Sequence, residues 1–593
     1  MTRVEQNGTG VTYSGTWYPN NLAGHSGSSA VLAADKGSRA TFSFNGTAVN
    51  WIAYRDEWSG IANVYLDGTL KGQVDTYATP SKAQAQVYSI SGLASGSHTL
   101  AIEATGTKGA ASGGAWVWVD AFDVASASGS TPPAVTTTPV AGGTSVTSSG
   151  DQALAVGSAV VNGAGAAAPS GIAIFSYRSN GVLVSEAGVP ASRSLRRGRI
   201  YAEVNGPVNT GVAIANPNDS QAHVSFFFTD ANGTNTATGT VTLAAHGQLA
   251  RFLDQSPYNG PRPLNGTFTF TSDVPVSAIA IRGLTNERSE FLITTLPVAD
   301  LDQTTPATIY FPHFADGGGW TTQFILVNSS DATATGTIRF FAQGTAGSTA
   351  NPLNVNIAGQ AVNSTTYSIP ARSSQKFVTQ GNYSTVQAGS AQVTPDGSNS
   401  APVGVAIFSN KQGGVTVSEA GVPSSELGTA FRLYVESDNG GIRSGIAVTN
   451  PSNADAQVQF ELSRLDGTST GFTGSVVVPA HGQRALFLDE VPGITALPNP
   501  FKGIVRIHAA NNTNIAVVGL RGHVNERGEF LVTTTQPSNE SQSTASSLVF
   551  PHVVDGGGYT TQFILFSGTS GEPASGALNL FSQSGGGLTF NLK

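Results

Sequence analysis

Two copies of a histidine and an aspartate set three residues apart are the first candidates for chemistry in this sequence. His313 precedes Asp316, His552 precedes Asp555, and three glycines follow each aspartate. Such a pair could supply two zinc ligands or an acid and a base, but zinc needs at least a third protein ligand, and none recurs nearby. Because glycine permits a positive φ and aspartate binds turn amides, both copies are predicted to be structural turns.

Residues suited to sugar recognition cluster near the beginning of the chain. A sugar presents an apolar C–H face, which stacks on flat aromatic rings, and hydroxyls, which bind polar side chains. Five of the six tryptophans precede residue 125, and Trp51, Trp116 and Trp118 alternate as core residues of strands do. For Trp17, Tyr18 and Trp58, structural packing is an equal alternative to ligand contact. The predicted ligand-binding residues are Trp17, Tyr18, Tyr54, Arg55, Asp56 and Trp58.

No arrangement of residues typical of catalysis stands out. The Ser-Glu-Ala-Gly segments at 185–188 and 418–421 lack the frame of a nucleophile elbow, and no phosphate-binding glycine motif opens a helix. The sequence has no cysteine, which excludes thiolate chemistry. A carboxylate pair for glycoside hydrolysis would not be recognisable from sequence. The sequence therefore predicts a protein that is not an enzyme.

Charge and composition favour an extracellular or cell-surface protein. The 29 Lys and Arg residues oppose 37 Asp and Glu residues, giving a net charge of −8 without the basic stripe that nucleic-acid binding requires. No apolar run approaches the ~20 residues of a membrane-spanning helix. Few charges, no cysteine and a single methionine are typical of secreted bacterial surface proteins. We expect the export signal to have been removed or to belong to a longer precursor, since this chain contains none.

Short β-rich runs bounded by Asn-Gly and Asp-Gly pairs predict the fold class. Residues 41–44 and 224–228 are such runs, and no helical periodicity interrupts them. The chain is therefore predicted to be all-β. We expect an N-terminal jelly-roll β-sandwich followed by tandem β-sandwich repeats of immunoglobulin-like size.

Internal repeats predict the domain boundaries. The segment at 171–190 recurs at 404–423, and the segment at 311–327 recurs at 550–566, with a period of 233 to 239 residues. Each period divides into two units of about 110 residues. The predicted parts are a jelly roll at 1–125, a Ser/Thr/Pro linker at 126–143, complete repeats at 198–300, 301–427 and 428–538, the second half of a unit at 144–197 and the first half at 539–593.

The two half units pose a problem, because half a sandwich exposes strand edges and an apolar face. Either the chain is a piece of a longer array, or the two halves complete one another. Between neighbouring molecules, completion would run head to tail and build a filament. Strands that match residues 361–378 are missing from both halves, which argues against a full match.

Residues 2–124 resemble the galactose-binding-like β-sandwiches, a jelly-roll class that includes many carbohydrate-binding modules. The resemblance rests on the opening VEQNGTGVTYSGTW, the central YLDG and VDTY, the segment 92–106 and the closing VWVDAFDV. In calcium-bearing members, an acidic residue of the first strand and an aspartate of the last strand hold a structural ion. Glu5 and Asp120 match these positions, with Asp123 as a further donor; a simple cap or salt bridge at Asp120 is the alternative. Gln6 departs from the doubled acidic pattern usual in the first strand.

These features predict a protein that binds polysaccharide or glycan through residues 1–125, carried on a stalk of repeats outside the cell. Two alternatives remain open. One is a fibre subunit that binds copies of itself head to tail through its half units. The other is an accessory region of a larger polysaccharide-degrading enzyme. Structural calcium is the cofactor that the resemblance implies.

Overall fold

A computed structural model of the chain describes residues 2–8, 10–91, 93, 97–125, 142–163, 169–303, 308–348, 351–397, 399–438, 440–542, 547–567 and 576–593. Their regular structure is almost entirely β-strand, which confirms the all-β fold class. The helices of this part are the 3-10 turns Ser26–Ser28, Leu488–Glu490 and Ala510–Asn512, and none is long or apolar enough to cross a membrane. The chain divides into two compact units, Met1–Thr131 and Pro132–Lys593. Most of the predicted linker, residues 126–141, lies outside the described residues.

The first unit consists of antiparallel sheets that enclose one apolar core. Trp51 is fully buried there, and its indole N–H donates to the Trp118 carbonyl oxygen at 3.1 Å. Phe42 and Phe122, from two of the sheets, stack with ring centroids 4.5 Å apart. The strands are β1 Thr2–Glu5, β2 Val11–Ser14, β3 Tyr18–Asn20, β4 Ala30–Ala33, β5 Arg39–Asn45, β6 Ala48–Arg55, β7 Ile61–Leu66, β8 Thr69–Asp75, β9 Lys82–Ser91, β10 Ser97–Ala104, β11 Val117–Val119 and β12 Ala121–Ala125. The sheet orders are β1-β12-β6-β9, β2-β5-β10-β7-β8 and β11-β4-β3.

The second unit contains four repeats, which we call split, second, third and fourth. The split repeat combines β13 Gly143–Thr147, β14 Ala155–Gly163, β15 Ser170–Ser179 and β16 Val182–Pro190 with β44 Ser547–Asp555, β45 Tyr559–Phe566 and β46 Gly576–Ser582. The second repeat contains β17 Leu195–Asn205, β18 Val208–Ala215, β19 Ala222–Asp230, β20 Asn235–Leu243, β21 Gln248–Phe252, β22 Leu264–Thr285, β23 Phe291–Leu296 and β24 Val298–Asp300.

The other two repeats lie between these segments in the sequence. The third repeat contains β25 Ile309–Asp316, β26 Trp320–Val327, β27 Ala334–Ala342, β28 Val355–Ile357, β29 Gln360–Val362, β30 Ser364–Ile369, β31 Ser374–Val378, β32 Gln387–Pro395, β33 Val403–Gln412 and β34 Val415–Pro423. The fourth contains β35 Ala430–Ser437, β36 Ile442–Asn450, β37 Ala456–Arg464, β38 Ser469–Val478, β39 Gly482–Phe487, β40 Phe501–Ala509, β41 Ala516–Val524, β42 Phe530–Thr535 and β43 Ser538–Asn539.

The two terminal segments of the second unit pair with each other to build the split repeat. β14 lies between β44 and β46, with Val160 opposite Val549 on one side and Asn579 on the other. β45 lies between β13 and β15. Strands from the two ends therefore alternate in both sheets. The apolar faces of the two half units pack against each other in a core that contains Phe550 and Phe563.

This pairing corrects two expectations from the sequence. The strand edges that were expected to pair head to tail with a neighbouring molecule are paired within one chain in this structure. The repeats also do not lie in a simple row, because β16 of the split repeat contacts both β23 of the second repeat and β42 of the fourth. β13 supplies one of the strands that the sequence comparison found missing from the two halves. β13 lies beside β45 as β31 lies beside β26 in the third repeat.

One strand from each repeat lies at the centre of the second unit and contacts two neighbours. β16, β23, β34 and β42 contact one another in the cyclic order split, second, third and fourth. Glycines make this approach possible: a Cβ on Gly188 would lie 1.8 Å from Thr534 O, and one on Gly421 would lie 2.2 Å from Thr295 O. The Thr534 hydroxyl also donates to Gly421 O at 2.7 Å. The two Ser-Glu-Ala-Gly segments are thus packing positions between repeats.

Buried arginines bridge carboxylates of different repeats near these central strands. Arg282 of the second repeat binds Glu203 at 3.0 Å and Glu419 of the third repeat at 3.2 Å. Arg521 of the fourth repeat takes the equivalent place and binds Glu186 of the split repeat. Burial opposes ionisation of Glu186, yet the Arg521 charge helps to hold its pKa at about 2. These ion pairs fix how the repeats meet, because an unmatched buried charge is costly.

Closure of the split repeat within one chain can be tested at Phe563, which is fully buried on a strand from the far end of the sequence. We expect Phe563→Ala to lower the free energy of unfolding by about 3–5 kcal/mol, as large-to-small core substitutions do. Phe324, fully buried at the matching position of the third repeat, provides the control, and Phe324→Ala should cost a similar amount. Denaturant unfolding at several protein concentrations measures both. A negligible effect of Phe563→Ala, or one that depends on concentration, would contradict closure within the chain.

Candidate functional site

Five rings from three segments of the first unit lie in contact with one another in a row, here called the aromatic strip: His25, Tyr54, Trp58, Trp116 and Trp118. Between ring centroids, Tyr54 lies 5.2 Å from both His25 and Trp118. Trp116 lies 6.3 Å from Trp118, and Trp58 stacks on Trp116 at 5.9 Å. Exposure rises from the buried Trp118 to Trp58, which is 52% exposed. The strip therefore ends in a flat apolar face that is open to solvent.

The surrounding loops hold the exposed indole of Trp58. Asp56 is buried, and its Oδ1 accepts from the Trp58 backbone N–H at 3.0 Å and from the Ser59 hydroxyl at 2.7 Å. Gly113 lies against the ring, since a Cβ there would come within 3.0 Å of Trp58 Cε3. A ring that is fixed beforehand loses little conformational freedom on binding. In this structure Asp56 positions Trp58.

Arg55 and Trp17 have structural partners. The Arg55 guanidinium donates to the carbonyl oxygens of Thr76 and Tyr77 at 3.2 and 2.7 Å, which ties β6 to the loop after β8. Trp17 is half-buried, and its ring centroid lies 5.1 Å from that of Tyr13. These two predicted ligand residues therefore hold loops and pack against neighbours.

Tyr18 lies in the same row of side chains as the aromatic strip. It is 55% exposed on β3, opposite Leu32 of β4, and Leu32 lies opposite Trp118 of β11. Residues directly opposite one another in antiparallel strands share a face. The structure thus brings three of the predicted residues, Tyr18, Tyr54 and Trp58, to the surface around Trp118.

Sequence reasoning missed three members of the strip: His25, Trp116 and Trp118. The alternation of Trp116 and Trp118 predicts core packing, which holds for the buried Trp118, but Trp116 is only half-buried. Their spacing of two residues, which places both on one face, was the available signal. His25 had no such signal, because the turn Ser26–Ser28 brings it to the strip. Its Nε2 lies 3.1 Å from Asn20 Oδ1.

Glu5 and Asp120 lie together beside this turn. The Ser26 hydroxyl donates to Glu5 Oε1 and the Ser26 N–H to Asp120 Oδ1, both at 2.9 Å. Among the described residues, Glu5 Oε2, Asp120 Oδ2 and Gln6 Oε1 are buried without a hydrogen-bond partner. Burial raises the pKa of Asp120 to about 6, with a contribution from the nearby Glu5. Oxygen atoms of this kind are the ligands that calcium takes.

Asp123 does not join these oxygens. Its carboxylate accepts from Arg3 Nε at 2.8 Å and from Arg3 Nη2 at 2.9 Å, and these hydrogen bonds lower the pKa of Asp123. No group of three or more His, Cys, Asp or Glu side chains that could hold a metal occurs in the part of the chain that the structure describes. A cation beside Glu5 and Asp120 would therefore need amide and backbone oxygens as well.

The His-x-x-Asp-Gly-Gly-Gly segments are turns. The three glycines after Asp316 have φ values of 86°, 58° and 93°, which glycine adopts without steric cost. Asp316 is fully buried, and its Oδ1 accepts from the Gly381 N–H at 2.8 Å. The Asp316 carboxylate thus binds a backbone amide of a neighbouring loop. From the sequence, the expected partners were the amides of its own turn.

No family model matches this sequence. Two curated proteins of Flavonifractor plautii are similar to part of it. An A type blood N-acetyl-alpha-D-galactosamine deacetylase is 32% identical over 99 residues, and an A type blood alpha-D-galactosamine galactosaminidase is 33% identical over 102 residues. Each match covers 17% of this chain, and the matches span 13% and 9% of these relatives. The shared stretch has about the length of one β-sandwich.

Two solved structures are similar to parts of the chain. The catalytic domain of a GH87 alpha-1,3-glucanase matches 22% of this chain and 29% of its own, at 21% identity and a TM-score of 0.16. A Paenibacillus xanthan lyase matches 45% of this chain and 25% of its own, at 17% identity and a TM-score of 0.19. At such TM-scores, neither likeness defines the fold or the function of this chain.

The names of the sequence relatives correct one expectation. The sequence predicts a protein that is not an enzyme, and that prediction is contradicted, because both relatives are named as enzymes. The matched stretches are short, so the comparison assigns no reaction to this chain.

Asp120 should make the first unit sensitive to pH in the presence of a chelator. Its pKa rises from 3.8 to about 6 on folding, so the folded state favours the protonated carboxyl. Stability should therefore fall as the pH rises from about 4 to about 6. Tryptophan fluorescence during thermal unfolding measures this fall, since five of the six tryptophans lie in this unit.

Asp120→Asn should abolish the fall in melting temperature over this range. Asp123→Asn is the control: it removes a carboxylate whose pKa is lowered, so it should leave the fall between pH 4 and 6 in place. An unchanged profile in Asp120→Asn would show that another group is responsible.

Proposed function

We propose that the first unit binds glycans through the aromatic strip, as an accessory region in a carbohydrate-active enzyme system outside the cell. The observation that carries the proposal is the exposed indole of Trp58, held in place by Asp56 and stacked on Trp116. The enzyme names of both sequence relatives, which include galactosamine sugars, support it. Glycans that end in galactosamine or N-acetylgalactosamine are the first ligands to examine.

The chemistry of the strip suits a sugar ring. The C–H face of a pyranose would stack on the Trp58 indole, which is already desolvated on the side that faces Trp116. Tyr18 adds an exposed ring and a hydroxyl in the row of Trp118. A fixed apolar platform with a few polar groups gives sugars affinity and orientation.

Trp58→Ala should weaken glycan binding about tenfold or more and leave the fold intact, because Trp58 is the most exposed ring of the strip. Isothermal titration with an oligosaccharide of the A-type blood group measures the affinity, after a glycan array has ranked other ligands. Trp17→Ala is the matched control, since Trp17 packs on Tyr13 and should leave affinity within about twofold. Equal losses in both variants, or none in Trp58→Ala, would overturn the role of the strip.

A reaction on the same glycans is the second candidate function, favoured by the enzyme names of both sequence relatives. Mass spectrometry of an A-type oligosaccharide incubated with the chain would detect loss of an acetyl group or of a sugar. A product would establish a catalytic role, and its absence with retained binding would support the accessory role.

We also propose that Glu5, Asp120 and Gln6 hold a structural calcium ion, together with backbone oxygens. The three buried oxygens without partners support this assignment. Calcium would supply charge compensation for two neighbouring carboxylates and tie the first strand to the Ser26–Ser28 turn, from which His25 enters the strip.

Calcium should raise the melting temperature of the first unit at neutral pH, because an ion that binds only the folded state stabilises it by mass action. Thermal unfolding with added calcium or with chelator, followed by tryptophan fluorescence, measures the shift. Asp120→Asn should remove the shift, whereas Asp123→Asn should keep it, since Asp123 is bound to Arg3. A calcium shift that survives in Asp120→Asn would exclude this site.

A further inference from the structure

Two cavities of the second unit occupy equivalent places in its internal duplication. One lies between the third and fourth repeats and has a volume of about 260 Å³. The other lies between the split and second repeats and has a volume of about 380 Å³. Both are partly open to solvent. No role in the proposed glycan binding falls to them, because the aromatic strip belongs to the first unit.

The cavity between the third and fourth repeats has aromatic walls and one histidine. The third repeat contributes His313 and Phe408, and the fourth contributes Phe487 and Phe530. The His313 and Phe408 rings are nearly perpendicular, with centroids 5.6 Å apart and planes at 83°. Most of the surface that a bound molecule would touch is therefore apolar.

The cavity between the split and second repeats repeats this composition. His552 and Phe175 come from the split repeat, and Phe252 and Phe291 come from the second repeat. The His552 and Phe175 ring centroids are again 5.6 Å apart, at 88°. Residues more than 230 positions apart in the sequence thus build the same histidine and phenylalanine surface twice.

His552 presents a defined hydrogen-bond donor, and His313 has an equivalent glutamine neighbour. Gln248 Nε2 donates to Pro551 O at 3.0 Å and lies 3.1 Å from His552 Nδ1, so Nδ1 is the acceptor and Nε2 carries the hydrogen. Gln483 Nε2 lies 2.8 Å from His313 Nδ1 in the other cavity. Burial lowers the pKa of both histidines to about 4, which keeps the rings neutral. Neither Nε2 has a hydrogen-bond partner among the described residues.

Short side chains keep both cavities open. Ala485 and Gly445 line one of them, and Ala250 and Gly211 line the other at the matching positions. A Cβ on Gly445 would come no closer than 3.7 Å to Leu520 Cβ, so a larger residue would have room there. A Cβ on Gly211 would come within 3.1 Å of Ile281 Cγ1, so the matching position of the other cavity is tighter.

We propose that each cavity binds one small aromatic molecule with a single hydrogen-bond acceptor, its ring against the phenylalanines and its acceptor on the histidine Nε2–H. Apart from the histidine, the polar side chains differ between the copies: Glu490 lines one cavity, and Arg251, Gln255 and Tyr559 line the other. A sugar is disfavoured as a ligand of both cavities, because most of its hydroxyls would lose water against apolar walls without gaining the same partners in each copy. A molecule with one ring and one carbonyl or phenol oxygen matches both the size and the histidine that the two cavities share.

Isothermal titration of the full chain with acetophenone, which has one ring and one carbonyl oxygen, tests the proposal. We expect two sites per chain in the wild type, one in Ala485→Leu, one in Ala250→Leu and none in the double variant. Val477→Leu, at a residue 38% exposed on β38, is the matched control and should keep two sites. Melting temperatures no lower than that of the wild type establish that the variants are folded.

Two further probes test the chemistry of the site. Toluene has the ring without the acceptor, and it should bind about 5- to 10-fold more weakly than acetophenone if the histidine donates. Equal affinities would overturn the role of Nε2. Absence of saturable acetophenone binding, or binding that persists in the double variant, would overturn the site. Glucose binding that the double variant abolishes would overturn the assignment to an aromatic ligand.

Discussion

Pairing of β14 with β44 and β46 is the interaction on which the arrangement of the second unit depends. It joins Ala155 to Asp555 and Asn162 to Ser547, at opposite ends of the repeat region. Loop-closure entropy grows only slowly with chain length, so even this separation does not prevent pairing. Once the split repeat has formed, its strand β16 contacts both β23 and β42, and each repeat then has two neighbours at the centre. Without that pairing, the second and fourth repeats would each lack one neighbour.

Packing of the four repeats at the centre of the second unit needs both a close approach of their backbones and a match of their buried charges. Gly188 and Gly421 admit a neighbouring carbonyl to a distance that a side chain would forbid. Arg282 and Arg521 tie carboxylates of adjacent repeats in a buried setting, where removal of one partner is far more costly than at a surface. Because both features occur twice, the second unit behaves as two equivalent halves. The two histidine-containing cavities belong to this same duplication.

Part of the candidate site was predictable from residue types. Tyr18, Tyr54 and Trp58 were identified because aromatic side chains in a polar stretch suit sugars, and the structure places all three around Trp118. Trp116 was harder to assign, because alternation alone cannot distinguish a core position from one at the edge of the core. Arg55 and Trp17 have side chains that could bind a ligand, but in the structure they donate to backbone carbonyl oxygens. Such partners cannot be recognised from the sequence, because every residue has a backbone carbonyl.

The sequence by itself determined the all-β class and the duplication, since turn residues, alternation and repeated segments are local properties of the chain. Tertiary structure decided which edges pair. No local pattern indicates that β13 lies beside β45, because strand edges carry the same backbone groups whatever their partner. It also decided that Asp120 shares Ser26 with Glu5 and accepts from the Gln6 backbone N–H, whereas Asp123, three residues later, binds Arg3. The different partners of Asp120 and Asp123 follow from the path of the backbone and from the position of the Ser26–Ser28 turn. That path and that position are set only when strands distant in the sequence have packed.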